Sequence, residues 1–232
     1  MQPSSRAWAS WLLAALAAFG NLVVVEGLVT KGDPARTARE IAASEGTFRL
    51  GVASLYAAAA LDMLVAWALF QVFRPVHEAL SRLAAWFRLA YAAVFLVAIS
   101  QLAGIPDLLS TKDAAGFTQR QVDAMALAKA ETFSDIYLAA LLLFGLHLLL
   151  LGYLTYTSRQ MPRLLGVLLA IAGLGYAFDT MAAVLTSGSP LVVSTFTFLG
   201  EFLLAVWLVV RSRRLSQHAT PFDTTATRAG TL

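Results

Sequence analysis

Residues 138–157 read LAALLLFGLHLLLLGYLTYT, twenty residues in which His147 is the only side chain that can take a charge near neutral pH. A helix of that length covers about 30 Å at ~1.5 Å per residue, which is the thickness of the hydrocarbon core of a bilayer. Strands of a membrane barrel would alternate apolar and polar residues with a period of two, and no such alternation is present. The stretch therefore reads as part of a membrane-crossing helix with one imidazole near its middle.

The same reading repeats outward in both directions. Apolar blocks predict six spans at about 7–29, 48–73, 83–104, 133–157, 162–185 and 190–211. Composition agrees: 59% of the 232 residues are hydrophobic and 13% charged, against about 45–50% and 25% in soluble domains. The mean hydropathy is +0.70. The expected fold is an all-α, polytopic transmembrane helix bundle. Residues 1–211 form one transmembrane domain, followed by a disordered cytoplasmic tail over 212–232 rich in Thr, Ser and Ala.

Two short amphipathic connector helices are predicted between spans. Asp33-Pro34 reads as an N-cap followed by proline at the first helical position, opening a helix that runs to about Ala43. Thr118-Gln119-Arg120-Gln121 reads as another helix start, leading through Asp123, Lys129 and Glu131 into the fourth span. The glycines of the fifth span (Gly166, Gly173 and Gly175) are expected to serve close helix packing. Gly173-Leu174-Gly175 is not read as a nucleotide loop, because no strand precedes it.

Basic residues set the expected orientation. Arg74, Arg82, Arg159, Arg163 and the group Arg211, Arg213 and Arg214 fall on one side, in short loops and a tail with few acids. The positive-inside rule then places both termini in the cytoplasm of a multi-pass cell-membrane protein. The first helix is expected to stay uncleaved, since its apolar run outlasts a signal core and lacks a small-x-small site. The formal charge of +3 and isoelectric point near 9.4 fit arginines at anionic headgroups, not nucleic-acid binding. The bilayer is the expected partner. With no cysteine, disulfides and thiolate chemistry are excluded.

Five ionisable residues lie inside the predicted spans: Asp62, Arg88, His147, Asp179 and Glu201. Each costs at least ~2.5–3.5 kcal/mol at a helix centre for Asp, Lys or Arg, so it must be paired, hydrated or used. Depth along the helices sorts them. Asp62, His147 and Glu201 form a candidate midplane set with Arg88 as counter-charge. Glu26, Arg49, Asp135 and Asp179 form a candidate outer layer. Glu201 continues a polar stripe through Thr197 and Ser194.

Three readings follow from these residues. In the first, Asp62, Arg88, His147 and Glu201 bind or transport a small solute, proton or cation, with His147 as the protonation switch. In the second, the charges only pair and set helix packing, the role of a structural or regulatory membrane component. A solvent-free bundle with Asp62 or Glu201 directly paired to Arg88 would overturn the first reading; an enclosed polar cavity with pH-dependent binding would support it. The third is a membrane-embedded metal enzyme, since Asp62, His147 and Glu201 suit a transition metal by ligand type. Against it, the three lie on separate helices with no His-x-x-x-His or Glu-x-x-His pair, and no hydrolase or nucleotide motif occurs. No metal or cofactor is therefore expected, and enzyme activity is the least favoured reading.

The span edges carry a recurring pattern. Phe48-Arg49-Leu50-Gly51 opens span two and Phe73-Arg74-Pro75-Val76 closes it. Phe87-Arg88-Leu89 lies in span three, and His147 is followed by Leu151-Gly152-Tyr153-Leu154. Met161-Pro162-Arg163-Leu164-Leu165-Gly166 and Ala172-Gly173-Leu174-Gly175-Tyr176 mark span five, with Gly200-Glu201 and Trp207 in span six. In order and spacing this resembles the bacterial membrane family catalogued as domain of unknown function 4386. The resemblance implies a six-helix integral membrane protein and brings no activity with it.

Overall fold

A computed structural model describes residues 27–110, 116–158 and 161–186, together with Leu16, Phe19, Gly20 and Val24. Among these residues the fold is entirely helical: α1 (Pro34–Ala43), α2 (Glu45–Phe73), α3 (Glu78–Ala103), α4 (Ile105–Ser110), α5 (Gln119–Thr157) and α6 (Arg163–Thr186). Four helical stretches, Glu45–Phe73, Glu78–Ser110, Gln119–Thr157 and Arg163–Thr186, are long and apolar enough to cross a membrane. They correspond to the second to fifth expected spans. Nearly all of the first expected span, all of the sixth, and the tail lie outside the described residues.

Local chemistry explains where the helices begin and end. Asp33 caps α1, its carboxylate accepting from the Arg36 N–H at 2.9 Å, with Pro34 just inside the helix. Gly32, at φ +76°, makes the left-handed turn that precedes it. The Ser44 N–H closes α1 on the carbonyls of Glu40 and Ile41, and α2 starts at the next residue. Arg74-Pro75 follows the end of α2. His77 then caps α3, its Nδ1 accepting from the Leu80 N–H at 3.2 Å.

The second connector departs from expectation. It is not a separate helix but the first turns of α5, which runs unbroken for 39 residues. That is roughly 58 Å at 1.5 Å per residue, about twice the hydrocarbon thickness. A capping box between Thr118 and Gln121 starts it, and no proline interrupts it before Thr157. Its first turns are not merely a surface feature either. Val122, Ala126, Leu127 and Ala130 are buried, and α1 and α4 both pack on α5. The expected sequence reading also ended span three at 104 and missed α4, which follows α3 after the single residue Gly104.

The packing order places the site. α3 packs against α2 on one side and α5 on the other, and α5 packs against α6. Two glycine pairs bring α5 and α6 together. A Cβ on Gly145 would stand 2.7 Å from the Gly173 carbonyl oxygen, and one on Gly152 would stand 2.8 Å from that of Gly166. No side chain fits there, so these glycines serve close helix contact, as in lipid-embedded pairs. On its other face α6 exposes Leu164, Val167, Ile171, Leu174, Phe178 and Leu185 at helical spacing. Such a stripe suits hydrocarbon and would be costly in water.

Candidate functional site

Three buried stripes converge at the middle of the bundle. α2 contributes Leu55, Ala59, Asp62 and Ala66. α3 contributes Ala84, Arg88, Tyr91 and Phe95. α5 contributes Phe144, His147 and Leu151. Each stripe follows the three- and four-residue spacing of one helix face. Arg88 sits on the central helix and reaches both neighbours.

Its guanidinium donates from Nε and Nη2 to the same Asp62 oxygen, Oδ1, at 3.0 and 2.5 Å. Nη1 meets His147 Nε2 at 3.1 Å, while His147 Nδ1 lies 2.9 Å from the Ala84 carbonyl oxygen. A carbonyl only accepts and a guanidinium only donates, so the proton is on Nδ1 and Nε2 uses its lone pair. The imidazole is neutral, and both of its nitrogens are committed. The role of protonation switch expected for His147 has no free nitrogen to work with in this arrangement.

Aromatic rings close the remaining side. The Arg88 Cζ lies 5.2 Å from the centroid of the Phe144 ring, a cation–π contact. Phe144 in turn packs on Tyr91, His147 and Tyr176, at centroid distances of 4.8, 5.8 and 5.7 Å. Among the described residues the cluster carries one negative and one positive charge and a neutral imidazole, so their net charge is zero. Asp62 and Arg88 keep 6% and 9% of their side-chain surface exposed, and His147 keeps 1% of its residue surface.

The hydrogen bonding is incomplete. Arg88 has five N–H donors and uses three. Asp62 Oδ2 is buried with no partner. Among buried side-chain atoms of the described residues, only Thr155 Oγ1 shares that condition. A buried acceptor left unpaired is uncommon and costs stability.

Of the sequence-predicted midplane set, Asp62, Arg88 and His147 are brought together, and Glu201 lies outside the described residues. The described members of the expected outer layer differ in exposure. Arg49 is exposed and pairs with Glu45 at 2.7 Å and Asp107 at 3.2 Å. Asp135 is exposed, and Asp179 is buried. Glu26 lies outside the described residues. Residues at similar depth differ in exposure when their helices turn different faces to the core. Sequence reading missed the Ala84 carbonyl and the Phe144 ring as parts of the centre. The available signal was spacing, since Ala84 is one turn from Arg88 and Phe144 one turn from His147.

Of the metal alternative, Asp62 and His147 lie in the described centre and Glu201 lies outside the described residues. Arg88 occupies the Nε2 lone pair, so a cation at His147 would have to displace the Arg88 contact, while the Nδ1–H bond to Ala84 could stay. Among the described residues no group of three His, Cys, Asp or Glu side chains could hold a metal ion.

These features define an all-helical membrane protein with a buried polar centre. The chain belongs to the family described as domain of unknown function (DUF4386), whose pattern matches residues 9–212. It is also similar to an "Uncharacterized protein" of Archaeoglobus fulgidus, 36% identical over 157 residues, covering 68% of this chain and 80% of that protein. That archaeal relative carries the likeness beyond the bacteria of the expected family. No solved structure matches the chain.

Proposed function

We propose that this chain is a non-catalytic structural or regulatory component of the cell membrane, whose Asp62, Arg88 and His147 lock three helices in register. The observation that carries this reading is the direct pairing of Arg88 with Asp62 on one neighbour and His147 on the other. Arg88 is thereby a single bridge across α2, α3 and α5. Both termini face the cytoplasm in this reading, supported by Arg74 and Arg82 beside the short turn between α2 and α3. Because the natural chain has no cysteine, single cysteines placed in that turn and beside α1 would report sidedness by labelling in intact cells.

A double-mutant cycle tests the lock. Asp62→Leu and Arg88→Met are each expected to destabilise the purified protein, while the double replacement recovers most of the loss. Additive losses would count against it.

A second reading, binding or transport of a small solute, proton or ion, is favoured by one observation. Asp62 Oδ2 and two Arg88 donors remain uncommitted although a fork-on-fork pair would have used both carboxylate oxygens.

A further inference from the structure

We propose that the Arg88 centre is a binding site for a small uncharged molecule that carries both a hydrogen-bond acceptor and a donor, such as an amide or an alcohol, and not for an ion. The proposal rests on the second reading above and gives its ligand a chemical class.

Charge comes first. Among the described residues this cluster holds one ion pair, Asp62 with Arg88, beside the neutral His147 that accepts from Arg88. The sum is zero. An anion arriving at Arg88 meets the Asp62 carboxylate, and a cation arriving at Asp62 meets the guanidinium. Either would bring an uncompensated charge into a setting with little water, where charge is penalised most. An uncharged ligand incurs no such penalty.

The unused hydrogen-bonding groups then define its complement. Arg88 keeps two N–H donors, which ask for an oxygen acceptor. Asp62 Oδ2 asks for an N–H or O–H donor. A carbonyl or hydroxyl oxygen beside an N–H or O–H supplies both within one small molecule. Phe144 lies over the guanidinium, so the ligand meets the guanidinium at its edge, where the unused N–H groups point. Asp62 Oδ2 is sealed in this conformation. Its donor contact therefore forms only when the Asp62 carboxylate turns or α2 shifts as the ligand enters.

The test uses the full chain in proteoliposomes, with stopped-flow light scattering under gradients of acetamide, urea, glycerol, potassium chloride or potassium acetate. Acetamide, urea or glycerol should equilibrate several-fold faster than in empty vesicles and saturate with concentration, while neither potassium salt is accelerated. Arg88→Lys, which keeps the charge but lacks the planar donor set, should lose the acceleration. Acetamide binding to the nanodisc-embedded wild type, followed by the 15N signals of the arginine guanidinium groups, gives a readout independent of any variant. Accelerated potassium salts with unmoved neutral solutes would overturn the ligand class and leave the binding reading standing. Neither flux nor binding of any probe by folded protein would overturn both, and the helix lock would remain.

Discussion

Arg88 aims two donors at a single oxygen of Asp62 and leaves the other oxygen, buried, with nothing to accept from. A side-on pair of fork and carboxylate would satisfy both oxygens. The remaining nitrogen, Nη1, meets His147 on α5, so one guanidinium holds two helices against its own. Arg88→Lys removes the fork and leaves one compact cation to serve both neighbours. It should cost about 1–3 kcal/mol, the range for leaving a buried partner unsatisfied, read as a lower melting temperature in detergent.

His147→Leu keeps the volume of the ring approximately and deletes the acceptor for Arg88 Nη1. The Ala84 carbonyl retains its bond within α3, so the loss falls on the guanidinium. A destabilisation of about 1–3 kcal/mol is expected, with His147→Gln recovering part of it because a side-chain amide can again accept. Equal losses for the two variants would show that ring packing on Phe144 matters more than the hydrogen bond.

Gly152→Leu tests the contact between α5 and α6. The nearest atoms to an added Cβ are backbone, the Gly166 oxygen at 2.8 Å and the Ala170 nitrogen at 2.9 Å, and backbone cannot rotate away. The helices must separate. Overpacking of this kind costs about 1–3 kcal/mol or more, and the melting temperature should fall further than for Gly46→Leu, where nothing lies within 4 Å.

Asp33→Ala removes the side chain that accepts from the Arg36 N–H. Loss of such a cap costs about 0.5–2 kcal/mol. Hydrogen exchange should accelerate in the first turn of α1 and stay unchanged around His147, because the cap acts locally.

Arg49→Ala should leave the melting temperature unchanged. Its partners Glu45 and Asp107 are exposed, as it is itself, and surface ion pairs contribute little. A marked loss would mean that Arg49 has a role its exposure does not suggest.

Much of the architecture was legible in local sequence, and particular residues show how. Asp33-Pro34 marked the start of α1, and the position of Pro162 marked the entry to α6. The apolar runs located four helices to within several residues of their described ends, except at the start of α5. There the connector helix expected at Thr118 and the span expected from 133 are one helix, because a capped helix persists through Asp123, Lys129 and Glu131 when no proline stops it.

The candidate residues were legible as a list but not as an arrangement. Cost in hydrocarbon singled out Asp62, Arg88 and His147, and helical spacing told which neighbours share their faces. By itself the sequence determined the class of protein, the helix starts, and which side chains had to be reconciled with an apolar interior. Only the tertiary structure decided that Arg88 bridges Asp62 and His147, that the imidazole is neutral, and that Arg49 and Asp135 are exposed while Asp179 is buried. The reason is separation along the chain. Local spacing fixes the face of a helix, but the partners of Arg88 lie 26 and 59 residues away. Which faces meet across such distances is settled by how whole helices rotate as they pack, and at α5 and α6 the close approach is set by glycines that include Gly145 and Gly152, on either side of His147.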